Sequence, residues 1–166
     1  ALSTMTKTMT NDDGAMRRQP GCPLCDGPGG RVVWRGAGCR VILPDEPDYP
    51  GFVRVVLDDH VAEMTDLLPS VRDALMRIVW EAEACLREVM DPDKVNVASL
   101  GNMVAHVHWH VIPRWRDDRH FPGSVWSAPQ RQGEALARSA ERAARVDTLV
   151  QRLQARLAAM PSADAE

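Results

Sequence analysis

Three of the chain's five histidines stand in "AHVHWHVIPR", Ala105 to Arg114, where His106, His108 and His110 alternate with Val107, Trp109 and Val111. Histidines at that spacing suit a metal site, a phosphoryl-transfer site or a polar strand face. In an extended strand, residues two apart point to one side about 6.6 Å from each other. The alternation therefore predicts a row of three imidazoles on one face, with Val107, Trp109 and Val111 facing a core. Such a row can donate N–H groups to phosphate oxygens and present a free nitrogen as a nucleophile. Along one straight strand it spans about 13 Å, too far for all three rings to reach a single ion at about 2 Å per bond. One or two of them at most can be ligands together. Gly101 in the preceding "LGN" allows close approach of the backbone to a ligand.

The rest of the composition narrows what such a row would serve. At 166 residues, 45% hydrophobic and 26% charged, the chain is sized for one soluble globular domain with a substantial core. A net charge of −3 gives no global attraction to nucleic acid or to an anionic membrane, which favours a small ligand. No run approaches the roughly 18 apolar residues of a membrane span. "ALSTMTKTMTNDDG" lacks the apolar centre of a signal peptide, so the expectation is a cytoplasmic protein. In that compartment the four cysteines are not a disulfide framework, and Cys39 and Cys85, each without a neighbouring cysteine, read as small core residues.

Residues 1–20 read as a flexible tail. "GCPLCDGPGG" reads as a tight knuckle around Cys22 and Cys25, too rich in Gly and Pro for helix. "RVVWR" and "CRVILP", separated by "GAG", predict a hairpin, and "FVRVVLD" a third strand. From Pro69 to Met90 the apolar positions follow helical spacing, with Ser70 as the expected cap and "DPD" at 91–93 as the stop. "KVNVASLG" and "HVHWHVIPR" predict two more strands meeting at Gly101 and Asn102. A single last helix is expected from about Gly133 to Met160. Its arginines at 138, 142, 145, 152 and 156 would lie on a solvated face, Trp126 would pack in the core or contact a ligand, and Arg114 would be a surface arginine or a phosphate partner. Strands, helix, strands, helix with no βαβ repeat argue for α+β with an antiparallel sheet covered by helices on one face.

"LGNMVAHVHWHVIPR" resembles the signature of the histidine triad (HIT) family, in which three alternating histidines follow a glycine and an amide residue. "YPGFVRVVLDDHVAEMTDL" is similar to the family's strand and following His segment, and "DDRHFPGSVW" to a continuation found in a bacterial branch. The similarity covers about residues 21–127 and implies a HIT-like fold over that span. Residues 128–166 would then be a helical extension packed on the domain.

The resemblance implies a diadenosine polyphosphate hydrolase-like enzyme, a hydrolase or nucleotidyl transferase acting at the α-phosphate of a phosphoanhydride or phosphoramidate through a covalent nucleotidyl-histidine. His108 would be the nucleophile, and His110 would orient the site and donate to phosphate. The family's glycine and amide positions fall on Gly101 and Asn102. Asn102 stands where glutamine is commoner, and Met103 where some relatives carry a serine that assists the leaving group. Asn96 would touch ribose or phosphate, or serve only as a strand-end turn residue. No catalytic cofactor is expected. Zinc-bearing branches imply structural zinc on Cys22, Cys25, His60 and His106, a closed set of two thiolates and two imidazoles. The family also implies a homodimer. Two rivals share these residues: a non-catalytic nucleotide-binding or interaction module, and a hydrolase whose zinc activates water, which would need an open coordination position.

Overall fold

In the computed structural model, residues 16–161 are described. Positions 1–15 of the expected tail fall outside them. Just beyond, the Arg17 backbone N–H donates to Asp59 Oδ1 (3.0 Å), and Arg17 O accepts from the His60 N–H (2.9 Å).

Five strands make one antiparallel sheet: β1 (Arg31–Gly36), β2 (Cys39–Leu43), β3 (Val53–Leu57), β4 (Lys94–Ala98) and β5 (His108–Arg114), in the order β1-β2-β3-β5-β4. The expected hairpin turns at Ala37 and Gly38, both with positive φ (50° and 72°), the geometry that matches strand twist in a two-residue loop. The long helix α2 spans Pro69–Met90 as expected, but it begins one residue before Ser70. Pro69 occupies the first turn, where its fixed φ suits a helix and its missing N–H costs nothing, so no side-chain cap forms. The cysteine knuckle contains one helical turn, α1 (Pro23–Asp26), contrary to the expectation of no helix. Proline again sits in the first turn, where it is tolerated.

The expected single last helix is two, α3 (Glu134–Ala143) and α4 (Val146–Ala158). They serve different partners. Arg138 and Arg142 of α3 pair with Asp117 (3.0 and 2.7 Å), whereas α4 buries Leu149, Val150, Leu153 and Leu157 in the core with α2. Between them, Arg145 donates to Met90 O at the end of α2. Arg142 is thus not on a solvated face: its side chain is largely buried, with its guanidinium 4.1 Å from the Trp115 ring centroid. Arg152 and Arg156 bridge to Glu81 and Glu88 on α2.

Helices α2 and α4 cover one sheet face, where Val41, Val53, Val55, Val95 and Val111 join Leu75, Ile78, Leu86, Leu149 and Leu153 in the main core. Cys39 and Cys85 are fully buried there as small apolar residues, and Val107, Trp109 and Val111 face this core as the alternation requires. Among the described residues no helix is long and apolar enough to cross a membrane. The opposite face carries His108 and His110 and is covered by the knuckle, the loop before β3 and the chain after β5.

That last segment is held by a buried ion pair. Arg114 is 2% exposed, not a surface residue, and its Nε donates to Asp118 Oδ2 at 2.8 Å. The guanidinium also donates to Asn96 Oδ1 (2.7 Å) and Gly123 O (2.7 Å). Asp118 accepts from the backbone N–H groups of Trp115, His120 and Phe121 as well. Burial pushes its carboxyl pKa up, but Arg114 and these N–H groups outweigh burial and hold it below the ordinary carboxylate value. His120 packs on Tyr49, its Nδ1 2.6 Å from the phenol oxygen, and stands apart from the triad. Removing the carboxylate strands a buried guanidinium, so Asp118→Ala is expected to lower the unfolding free energy by about 3–5 kcal/mol. Urea denaturation at neutral pH measures it.

Candidate functional site

The three histidines do not form one row. Strand β5 starts at His108, and His106 lies in the bend before it, where its N–H reaches back to Val104 O (2.8 Å). The turn swings the His106 ring away from the other two and toward the knuckle. Its Nδ1 is 3.5 Å from both Cys22 Sγ and Cys25 Sγ, and Cys25 Sγ is 3.4 Å from His60 Nδ1. The ligand atoms of Cys22, Cys25, His60 and His106 all lie within 4.8 Å of one another.

These four side chains can hold a metal ion. A tetrahedral ion bound by sulfur at about 2.3 Å and by nitrogen at about 2.0 Å sets its S and N ligands about 3.5 Å apart. The observed S···N separations match. The tautomer matches too: His106 Nε2 lies 2.6 Å from Leu57 O, and a carbonyl can only accept, so Nε2 carries the hydrogen and Nδ1 keeps its lone pair toward the thiols. All four cysteines are free thiols. The knuckle is fastened to the sheet by buried Arg40, which donates to Leu24 O (2.6 Å), Pro28 O (3.0 Å) and Asp58 Oδ1 (3.2 Å).

His108 and His110 form a second centre on β5, buried, with ring centroids 4.9 Å apart. His108 Nδ1 is 2.6 Å from His106 O. By the same argument Nδ1–H donates, leaving the lone pair on Nε2. Burial lowers its pKa, and nearby Arg54 adds to the effect against the bond to His106 O, so the ring stays neutral. His110 is more strongly affected: burial first, then His108 and Arg54, lower its pKa to about 3.

Sequence reasoning missed two neighbours of His110, Arg54 and Phe52, and set core packing before a site contact for the third, Trp126. Arg54 on β3 is its cross-strand partner and donates from Nε to its Nδ1 at 3.3 Å. Phe52 lies edge-on at 5.7 Å between centroids, and Trp126 at 5.1 Å. Trp126 is 51% exposed, so it flanks the site and is not a core residue. Strand parity marks Arg54 as the charged residue of an otherwise apolar β3, but the register that sets it against His110 is a long-range fact.

The remaining expected residues make no hydrogen bond to His108 or His110 among the described residues. Asn96 has its Oδ1 held by Arg114, which leaves its amide hydrogens for another acceptor. Gly101 has φ 77° and open space where a side chain would begin, so backbone conformation and not crowding calls for glycine there. It helps line a cleft of about 260 Å³ with Ser99, His106, Val107 and Trp109. Asn102 and Met103 are exposed and make no hydrogen bond to the triad among the described residues.

Known proteins resemble this chain in sequence and in fold. The chain is 33% identical over 98 residues to a protein of Mycobacterium tuberculosis named AP-4-A phosphorylase, covering 55% of this chain and 50% of that protein. It is 27% identical over 114 residues to the asymmetrical bis(5'-nucleosyl)-tetraphosphatase of Schizosaccharomyces pombe, covering 66% of this chain and 63% of that one. The chain thus spans half the length of its mycobacterial relative. A crystal structure of a histidine triad protein from Marinobacter aquaeolei superposes with a TM-score of 0.59 at 27% identity, covering 76% of this chain and 92% of that one. One from Bradyrhizobium japonicum gives 0.62 at 24% identity, covering 77% and 90%, a likeness of fold. A family model, the HIT domain, matches residues 30–117, more than half of the sequence, and the chain belongs to that family.

Proposed function

We propose that this chain cleaves or transfers a nucleotide at the α-phosphate of a nucleoside phosphoanhydride or phosphoramidate, of the diadenosine polyphosphate type, with His108 as the nucleophile. The observation that carries the reading is the bond from His108 Nδ1 to His106 O, which commits the Nε2 lone pair to attack. A neutral imidazole attacks without first losing a proton. In the first displacement the Nε2–P bond forms and the bond from phosphorus to the leaving oxygen or nitrogen breaks, the departing group taking up a proton. In the second, water or inorganic phosphate attacks phosphorus and the N–P electron pair returns to Nε2. His110 donates from Nε2–H to a phosphate oxygen, and the amide hydrogens of Asn96 have the reach to serve ribose or phosphate. The names of the two relatives, a phosphorylase and a tetraphosphatase, support the substrate class.

Cys22, Cys25, His60 and His106 hold structural zinc in this reading. Bound there, zinc would tie the knuckle to the strand that carries His108. Four protein ligands leave no open position for a metal-activated water, which weighs against a zinc hydrolase. The free thiols fit a reducing compartment, the cytoplasm. A homodimer is supported by β4, an edge strand whose Val97 is exposed together with Leu100 and Met103 just beyond it.

His108→Gly is expected to lose at least about 10³-fold in turnover of diadenosine tetraphosphate, with an unchanged circular dichroism spectrum. Labelled substrate quenched in alkali, where the acid-labile N–P bond survives, should leave a nucleotide on His108 of the wild type alone. Undiminished turnover by the variant sinks the mechanism, and nucleotide binding without turnover in the wild type would point to a binding module. Metal analysis of protein purified without chelator should give about one zinc per chain, and chelation should lower the melting temperature; freely titratable Cys22 and Cys25 with no metal would remove the assignment. Because His110 is neutral when folded down to about pH 3, while its unfolded form binds a proton below about 6.5, its contribution is fully present above 6.5 and is lost as pH falls toward 3. Urea unfolding at pH 7 and pH 5 should show a smaller loss for His110→Asn than for wild type.

A further inference from the structure

Arg54 is the charged residue of β3 on the histidine face, opposite His110 in the β3–β5 register. Its side chain is mostly buried, at 22% exposure, with the guanidinium 5.4 Å from the Phe52 ring centroid and Glu46 3.8 Å from Nη2. Phe52 and Trp126 flank His110 edge-on, so the ring has little freedom to turn. Arg54 Nε points at Nδ1 of that ring.

We propose that Arg54 is a positioning residue that locks His110 in the Nε2–H tautomer, so that the single hydrogen of this neutral ring faces the phosphate. The argument is one of donors and acceptors. A guanidinium has five N–H donors and no acceptor, so whichever ring nitrogen it faces must supply a lone pair. The Arg54 Nε–H meets Nδ1 at 3.3 Å, and the hydrogen of the neutral ring is then left on Nε2. Without this partner His110 is free to place its hydrogen on either nitrogen, and in the Nδ1–H form it would turn a lone pair toward the anionic phosphate. The arrangement differs from that of His106 and His108, whose tautomers are set by backbone carbonyls. Only His110 depends on a side chain, and so only its tautomer is open to a point substitution elsewhere.

The inference rests on the proposed role of His110 as a phosphate donor, but its first readout does not. Long-range ¹H–¹⁵N correlation spectra of the full chain labelled at histidine report each ring's tautomer without substrate. Wild type is expected to show His110 as Nε2–H only, and Arg54→Met to show both tautomers, with kcat for diadenosine tetraphosphate reduced roughly tenfold or more and KM little changed. Arg54→Lys, whose ammonium likewise has donors and no acceptor, should retain the Nε2–H form and most of the rate. His110 as Nδ1–H in the wild type overturns the proposal, a result that needs no variant to fold. So does an Arg54→Met spectrum identical to wild type. A tautomer change in Arg54→Met beside a wild type that turns over no dinucleotide would instead leave this inference standing and sink the proposed function.

Discussion

A carbonyl oxygen can accept a hydrogen bond and never donate one, and two carbonyls in this protein decide which face of two imidazoles is free. Leu57 O takes the hydrogen of His106 Nε2, and His106 O takes that of His108 Nδ1. The first bond turns the His106 lone pair toward Cys22 and Cys25, and the second turns the His108 lone pair away from the backbone. Both go with the bend at His106, which leaves the strand pattern two residues before β5 begins. Two histidines separated by a single residue are thereby given opposite nitrogens to offer. The candidate metal site and the proposed phosphate centre are thus joined by a hydrogen bond through the backbone of a single residue.

The sheet must hold that backbone still while burying polar groups on one side. Its helix-facing side is an ordinary apolar core, where Val111 and Val55 pack among α2 and α4. The other side is kept by two buried arginines. Arg40 gathers the carbonyls of the knuckle, and Arg114 gathers Asn96, Gly123 and Asp118 from the chain beyond β5. A guanidinium in a dry site is costly unless its donors are answered, and here they are answered by several separate segments. Each arginine therefore stabilises a particular arrangement of loops around the histidines, which an apolar residue of the same volume could not specify.

Much of this architecture was legible locally. Apolar spacing located α2, β-branched runs located all five strands, and alternation told which of Val107 and His108 faces the core. Local spacing failed where a residue's surroundings come from distant segments. The surface reading of Arg114 and the core reading of Trp126 both fail, because Asp118 draws the arginine inward and the chain after β5 lays the tryptophan against His110. The division of the last helix was likewise hidden, since α3 is held by Asp117 and α4 by α2. The Ser70 cap lost to a proline next to it, a competition that local chemistry could have decided.

By itself the sequence determined the residue types, their parity along each strand and their membership in a family, because these depend on periodicity and on short motifs. Parity predicted three equivalent imidazoles. The family resemblance divides their roles, and the tertiary structure shows how they part: the bend before β5 and the carbonyl of Leu57 turn His106 to the cysteines, and the β3–β5 register sets Arg54 against His110. Tautomers are fixed by the group that faces each ring: for His108 it is the carbonyl two residues back, but for His106 and His110 it comes from β3, about fifty residues away in the chain.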